Sequence, residues 1–372
     1  FGQDETLGVD DNLEVLMVDK AVTPAVTNRA INFLQAPLPL TAGSHRITWN
    51  ANADGVTNRT DAAEYHLKVV HYTESYMVID VSGGSTTNVY PVDFLNGAPP
   101  GGFADREYKG DKIVLRRIHP GSYMAGSPNG EYGQKTDGTE AQHPVVITKP
   151  FYIGIFEVTQ RQYENVMGSN SNPSKTKLPY HPVEQTIYNT HVRGSGTIPS
   201  GNTFIAKLLA KCRSWNAEKQ DYADDVAGFD LPTDFQWEYA CRAGTTKAFN
   251  GTDDFDNTSS DEQKNQLLLL GRFLDNKGSE THAEVGSYQH NAWGLYDMHG
   301  NVVELCRDWW HDKAQEIKPY VDPEWVTSSG TRATRGGSYA HQVNACRSAA
   351  RYGLAPTAAA DYHGFRLCRN LP

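Results

Sequence analysis

The sequence has no long apolar run and few cysteines. The nearest approach to a membrane-spanning segment is the short tract Leu267–Leu270, whereas a spanning helix needs roughly 20 apolar residues. We therefore predict no membrane span. No two cysteines form a CxxC pair, which argues against the zinc sites and redox dithiols that use this spacing. The five cysteines, all far apart, are Cys212, Cys241, Cys306, Cys346 and Cys368.

The charge balance and the missing motifs exclude several classes of function. With 34 basic and 44 acidic residues the formal net charge is -10, so we expect no broad attraction to nucleic acid or to anionic lipid. No GxSxG, HExxH or Walker-type loop is present, which removes the commonest hydrolases and nucleotide-binding proteins. What is present is 372 residues with 38% hydrophobic and 10% aromatic content, enough for two globular domains.

Residues 1–100 predict a small all-β domain followed by a linker. Short β-type runs such as "LEVLMVD", "EYHLKVVHY" and "YMVIDVS" alternate with Asn, Asp, Gly and Pro clusters, as in an Ig-like β-sandwich. The segment "LTAGSHRITWNANADG" resembles the Ig-like domain of flagellar hook-capping proteins. Such a domain is a spacer, an anchor to a cell or particle surface, or a partner-binding module. The Gly- and Pro-rich stretch Ser82–Gly110 predicts the linker, with the boundary near Phe103.

The second domain, residues 103–372, contains two helix starts with the capping-box pattern. Thr159 is placed to cap one helix while Gln162 reaches back, and Thr233 and Gln236 repeat this spacing. The mixture of these helices with β-type runs predicts a mixed α and β domain.

Five segments of this domain resemble the formylglycine-generating-enzyme and sulfatase-modifying-factor superfamily. They read "IHPGSYMAGSP", "PFYIGIFEVTQRQY", "FDLPTDFQWEYACRAG", "NAWGLYDMHGNVVELCRDWW" and "RGGSYAHQVNACRSAARYG…HGFRLCRN". The resemblance implies an α+β fold with a C-type-lectin-like core and much irregular structure.

The resemblance also implies a structural calcium ion in the "GLYDMHGNVVE" segment. Two carboxylates and two carbonyl oxygens are ligands that suit Ca²⁺. The implied ligands are the Asp297 and Glu304 side chains with the Gly300 and Val302 carbonyl oxygens. The alternative is a solvated turn that Asp297 caps. This sequence departs from the family at Val303 and Leu305, where the family has Trp.

The copper site of the family's oxidases lacks one of its sulfurs here. Those enzymes hold copper with two cysteines just after the "GGSY" turn, because thiolates select soft Cu(I). After Gly337 this sequence has only Cys346, so we expect no copper and no oxidase activity. The resemblance implies a disulfide between Cys346 and Cys241. A sulfoxide synthase of the same superfamily is disfavoured too, because the N-terminal part lacks a helical HxxxEH pattern.

The remaining role is ligand binding by the C-terminal loop surface. The placement resembles the variable proteins of diversity-generating retroelements, and Tyr and His are rigid, amphipathic contact residues. We expect a protein or glycan ligand and an extracellular or cell-surface location. A non-diversified binding module and a metal-dependent oxidase are the alternatives. The candidate contact residues are Tyr339, His341, Val343, Asn344, Tyr352, Leu354, Thr357, Asp361, Tyr362 and His363.

Overall fold

The structure is a computed structural model that describes residues 74–250, 265–279 and 281–371, together with three strands that precede them. Those strands, β1 (Leu13–Asp19), β2 (Val26–Arg29) and β3 (Tyr65–His71), form an antiparallel sheet in the order β2-β1-β3. Apart from the run at Tyr76–Asp80, the rest of the predicted Ig-like sandwich lies outside the described residues.

The part that follows contains fourteen strands and, besides the helical residues 265–267, four α-helices among its described residues. The strands are β4 (Tyr76–Asp80), β5 (Tyr90–Leu95), β6 (Lys112–Ile118), β7 (Gly121–Ala125), β8 (His143–Ile147), β9 (Phe151–Gly154), β10 (Cys212–Asn216), β11 (Asp221–Asp225), β12 (Phe229–Asp230), β13 (Val303–Trp309), β14 (Arg332–Arg335), β15 (Tyr352–Leu354), β16 (His363–Gly364) and β17 (Cys368–Asn370). The helices are α1 (Arg106–Gly110), α2 (Gln160–Met167), α3 (Phe204–Lys211) and α4 (Asp234–Arg242), with a π-helix at Tyr188–Val192 and 3-10 turns at Ala314–Glu316 and Val343–Cys346. The predicted α+β class is confirmed.

A central eight-stranded sheet has the order β11-β10-β5-β4-β6-β9-β17-β12. Its central strands β4, β6 and β9 are buried on both faces. Along β4, Tyr76 and Val78 enter one apolar cluster with Trp237, while Met77 and Ile79 enter a second with Tyr163. The sheet is therefore the middle layer between two cores.

The central sheet includes two strands from residues 1–100. The run at β4 was predicted for the Ig-like sandwich and β5 falls in the predicted linker, yet β4 pairs antiparallel with both β5 and β6. Phe103, the predicted boundary, is buried with its ring centroid 4.8 Å from that of Tyr76. The physical reason is that β4 is apolar on both faces and needs a cover on each. The second domain thus includes both strands.

Two smaller sheets carry the C-terminal part of the chain. One is four-stranded, in the order β15-β14-β13-β16, and the other is the β7-β8 hairpin. Because β15 and β16 lie at opposite edges of the four-stranded sheet, the loop between them spans one end of it. That loop contains Thr357, Asp361 and Tyr362.

Both predicted capping boxes are confirmed. At α2, the Thr159 side chain accepts a hydrogen bond from the Gln162 backbone N–H, and the Gln162 side chain accepts one from the Thr159 backbone N–H. Thr233 and Gln236 form the same two bonds at α4. Helix α2 ends at Gly168, whose φ of 110° favours glycine. Within the described residues, every helix is too short or too polar to cross a bilayer.

Candidate functional site

Buried arginines fix the C-terminal segment to helix α4. Arg335 donates to the Asp234 carboxylate and, at 3.0 Å, to Glu238. Arg351 donates to the same Asp234 carboxylate at 2.9 Å. Burial alone would raise the pKa of Asp234, but the Arg335 and Arg351 guanidinium groups outweigh it and lower that pKa. A buried pair of this kind resists change, because removal of one partner leaves an uncompensated charge.

Two further arginines of the segment are fixed in the same way. Arg347 donates to both oxygens of Glu140, at 2.8 and 3.1 Å, and to Glu131 at 3.0 Å. Arg366 donates to Glu304, with Nε 2.6 Å and Nη2 2.7 Å from its two oxygens. Sequence analysis did not assign these anchors. The signal that identifies them is a set of four arginines in an otherwise apolar, Gly-rich segment.

The "GGSY" turn closes tightly over Cys346. Gly336 and Gly337 have φ values of 83° and 65°, where L side chains are strained. A Cβ at Gly337 would lie inside contact distance of Cys346 Sγ and 3.0 Å from the Ala345 carbonyl oxygen. The turn therefore requires glycine there, and the thiol fills the space below it.

The predicted disulfide between Cys241 and Cys346 is absent from the structure, where both are free thiols. Each sulfur faces its own polar partner, Cys241 Sγ lying 3.6 Å from Ser348 Oγ and Cys346 Sγ 3.7 Å from the Gln342 carbonyl oxygen. Burial raises the pKa of both thiols to about 12. Both sulfurs are therefore protonated and occupy packed positions.

Several predicted contact residues form one aromatic cluster. We call His341, Tyr352, Tyr362 and His363 the C-terminal cluster. The His341 ring lies parallel to Tyr352 at 6.5 Å between centroids and edge-on to Tyr362 at 5.4 Å. Tyr362 in turn meets His363 edge-on at 4.7 Å. His341, Tyr352 and Tyr362 are partly exposed, whereas His363 is buried.

Lysines from other parts of the chain border this cluster. Lys135 Nζ lies 3.8 Å from the centre of the Tyr352 ring and donates to the Arg351 carbonyl oxygen at 3.0 Å. Lys175 pairs with Asp361 at 3.0 Å. These contacts hold two of the predicted contact residues in place and add hydrogen-bonding groups beside the rings.

The other predicted contact residues lie elsewhere or face inward. Tyr339 is only 5% exposed, and its hydroxyl donates to the Asp361 carbonyl oxygen at 3.2 Å. Val343 donates its backbone N–H to Asp275 at 3.0 Å. Three more of these residues lie outside the C-terminal cluster. Asn344 lies beside Gly133, Leu354 packs against the second apolar cluster, and Thr357 is exposed.

The predicted calcium ligands lie in a buried acidic group. Asp297 accepts from the Gly286 N–H at 2.7 Å with Oδ2, while its Oδ1 is buried without a hydrogen-bond partner. Burial raises the pKa of Asp297 to about 6. The neighbouring Glu157 accepts from the Val302 N–H at 3.0 Å, and burial followed by the charges of Asp297 and Glu304 raises its pKa well above the usual value. Sequence analysis missed Glu157, although a lone acid inside "FYIGIFEV" is the signal of a buried carboxylate.

The two predicted carboxylates fit a cation unequally. Asp297 offers its unpartnered Oδ1. Glu304 Oε2 already accepts from Arg366 and from Trp237 Nε1 at 2.7 Å, which leaves one acceptor position on Oε1. Within the described residues, no group of three or more His, Cys, Asp or Glu side chains is arranged to hold a metal. A calcium ion would thus depend on Asp297 and on backbone carbonyl oxygens.

Comparison with known proteins gives a consistent result. Residues 104–371 match the sulfatase-modifying factor enzyme 1-like domain. The formylglycine-generating enzyme of Streptomyces coelicolor is 35% identical over 164 residues, 42% of this chain and 51% of that enzyme; the matched region thus spans about half of that protein.

Two solved structures share the fold. The structure of PvdO from Pseudomonas aeruginosa has a TM-score of 0.52 at 23% identity, covering 69% of this chain and 94% of its own. Treponema denticola variable protein 1 has a TM-score of 0.51 at 24% identity, covering 70% and 96%. At this level of identity the similarity shows the fold, and it confirms the fold that the sequence resemblance implied.

Proposed function

This chain belongs to the sulfatase-modifying factor enzyme 1-like domain family, and from that premise we propose that it is a non-catalytic ligand-binding protein that binds through the C-terminal cluster. The observation that carries the proposal is the state of Cys346. Its thiol is buried under the Gly337 turn, and burial raises its pKa to about 12. Copper chemistry of the family's oxidases needs two thiolates, and a thiol is reactive only where its pKa is lowered.

The C-terminal cluster supports a binding role. The His341 ring contacts both Tyr352 and Tyr362, and these three partly exposed rings rest on backbone that the buried arginines fix. Little side-chain entropy is lost when a ligand settles on rings that are already held in place. The name of the Treponema denticola variable protein 1 supports a further step, which is that residues 335–366 are a diversified stretch.

A binding experiment tests the proposal directly. We expect ligands selected from a printed glycan array and a displayed peptide library to lose most of their binding to the Tyr362→Ala and His341→Ala variants. Thr327→Ala is the control, because Thr327 is exposed and lies outside both the cluster and residues 335–366. Selected ligands that bind all three variants as well as the parent protein would refute the proposed surface.

A genomic observation tests the diversified form of the proposal. A near-copy of the codons for residues 335–366 beside a reverse-transcriptase gene is expected if the stretch is diversified. If that copy is absent, we propose a binding module of fixed specificity. Attachment to a cell or particle surface through the N-terminal strands stays a prediction.

The alternative function is a metal-dependent oxidase, which the 35% identity to a formylglycine-generating enzyme favours. Oxygen uptake by the Cu(I)-treated protein with a cysteine-containing peptide decides between the two. The Streptomyces coelicolor enzyme is the positive control. We expect no uptake above the peptide blank, and turnover that Cys346→Ser abolishes would establish the oxidase.

A further inference from the structure

Two histidine side chains outside the C-terminal cluster face each other from separate loops. His181 Nδ1 lies 3.0 Å from His282 Nδ1 and 3.1 Å from the His282 carbonyl oxygen. The ring centroids are 5.1 Å apart, and the ring planes are inclined at 68°. Because the two residues are 101 positions apart in the chain, the fold brings these two nitrogens and one oxygen together.

Backbone hydrogen bonds hold both loops in place. The Val285 N–H donates to the Tyr180 carbonyl oxygen at 3.1 Å, which ties the two loops directly to each other. The Ala283 N–H donates to Asn301 Oδ1 at 2.8 Å, which fixes the backbone just after the second histidine. The donor atoms are therefore in position before a ligand arrives, which lowers the entropy cost of binding.

The protonation of the pair suits a metal ion. Burial, followed by the charge of His181, lowers the pKa of His282 to about 4, so at neutral pH this imidazole is in the neutral form that binds metals. His181 Nδ1 donates in the metal-free pair, since the His282 carbonyl oxygen can only accept. His282 Nδ1 thus already presents its lone pair, and a shift of the His181 proton from Nδ1 to Nε2 presents the second.

The separations match the coordination shell of a divalent transition ion. Metal–imidazole bonds are about 2.0–2.1 Å long, so two such bonds at a right angle place their donor atoms roughly 2.9 Å apart. The two distances from His181 Nδ1, 3.0 and 3.1 Å, are close to this value. Nitrogen and oxygen ligands at right angles favour Ni²⁺ and Cu²⁺, and imidazole suits both ions.

The surroundings give a cation access and a balanced field. Asp361 favours positive charge at His282, whereas Arg272 opposes it. The Arg272 guanidinium is directed elsewhere, with Nε donating to the Thr281 carbonyl oxygen at 3.0 Å. His181 is partly exposed, so an ion and its water ligands approach the pair from that side.

We propose that His181 Nδ1, His282 Nδ1 and the His282 carbonyl oxygen bind one divalent ion such as Ni²⁺ or Cu²⁺, with water in the remaining positions. The site includes neither the C-terminal cluster nor Asp297 and Glu304, so it does not depend on the proposed binding function. Only two protein side chains take part, and we therefore expect a dissociation constant on the order of 10 μM for Ni²⁺.

Calorimetric titration of the full chain with NiCl₂ at neutral pH tests the site. We expect one Ni²⁺ per chain and much weaker binding of Mn²⁺, which has the lowest affinity of the divalent series for such ligands. His181→Asn and His282→Asn should each weaken Ni²⁺ binding at least tenfold, because each leaves a single imidazole. His290→Asn is the matched control, because His290 is exposed and belongs to neither loop contact.

NMR of the chain labelled with ¹⁵N-histidine identifies the ligands. Paramagnetic Ni²⁺ should broaden the ring signals of His181 and His282 first, and these signals are assigned by their loss in the two variants. If circular dichroism shows that His282→Asn is unfolded, the partly exposed His181→Asn decides alone. The inference is overturned if Ni²⁺ does not bind saturably, if His181→Asn binds it as well as His290→Asn does, or if the signals of other histidines broaden first.

Discussion

A single methyl group at Gly337 tests whether Cys346 is a packing residue. Gly337 has a φ of 65°, and its missing Cβ would lie inside contact distance of Cys346 Sγ. The matched position is Gly130, which has a φ of 88° and nothing within 4 Å of the Cβ site. Both replacements by Ala strain the backbone, but only Gly337→Ala adds a clash.

The expected magnitudes follow from these two contributions. A left-handed φ costs an L residue roughly 1–2 kcal/mol, and overpacking adds typically about 1–3 kcal/mol. Gly337→Ala should therefore lower the free energy of unfolding by about 2–5 kcal/mol, against about 1–2 kcal/mol for Gly130→Ala. Cys346→Ala in the Gly337→Ala background should recover part of the difference, since Ala345 O also lies 3.0 Å from the new Cβ.

Urea unfolding followed by tryptophan fluorescence measures all four free energies. Equal losses for Gly337→Ala and Gly130→Ala would refute the packing role of Cys346. So would a Gly337→Ala, Cys346→Ala double variant that is no more stable than Gly337→Ala alone. Either result would place the thiol outside the turn and reopen its availability to a metal.

Three further predictions concern charge. Arg351→Met should lower the free energy of unfolding by about 3 kcal/mol because Asp234 loses a buried partner. Arg161 is half-exposed, so the control Arg161→Met should lower it by under about 0.5 kcal/mol. Equal losses of the two variants in thermal unfolding would contradict the anchor role of Arg351. Calcium should raise the melting temperature of the parent protein and not of Asp297→Asn, and an equal rise in both would exclude that ligand. Burial and His181 lower the pKa of His282 to about 4, so the folded protein binds fewer protons than the unfolded chain and stability falls as pH drops from about 6.5 to 4. In urea titrations across this range, the loss of stability should be about 3 kcal/mol smaller in His282→Asn than in the parent protein, and an identical pH profile for the variant would contradict it.

The helix starts were predictable from the sequence because they depend only on neighbouring residues. The capping boxes at Thr159 and Thr233 need three residues of spacing and nothing from the rest of the chain. The fold followed from motifs spread over the second domain. Sequence analysis selected His341, Tyr352 and Tyr362 by their position between fixed motif residues, but spacing did not separate these partly exposed residues from the buried Tyr339 and His363.

The pairing of β4 was not predictable because it depends on a distant partner. Strand β4 reads as apolar on both faces, a pattern that fits an isolated sandwich and a central strand equally. Its assignment depends on pairing with β6, more than thirty residues later in the chain. The partners of the four buried arginines were hidden for the same reason, since Arg335 and Asp234 are 101 residues apart.

Under the proposed binding function, the arrangement of anchors and rings explains how this scaffold can carry different side chains at the contact positions. Arg351 is buried and bonded to Asp234, while Tyr352, its neighbour in the chain, is partly exposed in β15. Because Arg351 directly precedes β15 and is buried while Tyr352 is partly exposed, the anchor fixes the backbone without restricting the side chain beside it. Replacement of Tyr352 therefore changes a contact surface at little cost in stability, and replacement of Arg351 removes the support. A binding protein needs this separation between the residues that hold the loop and those that meet the ligand.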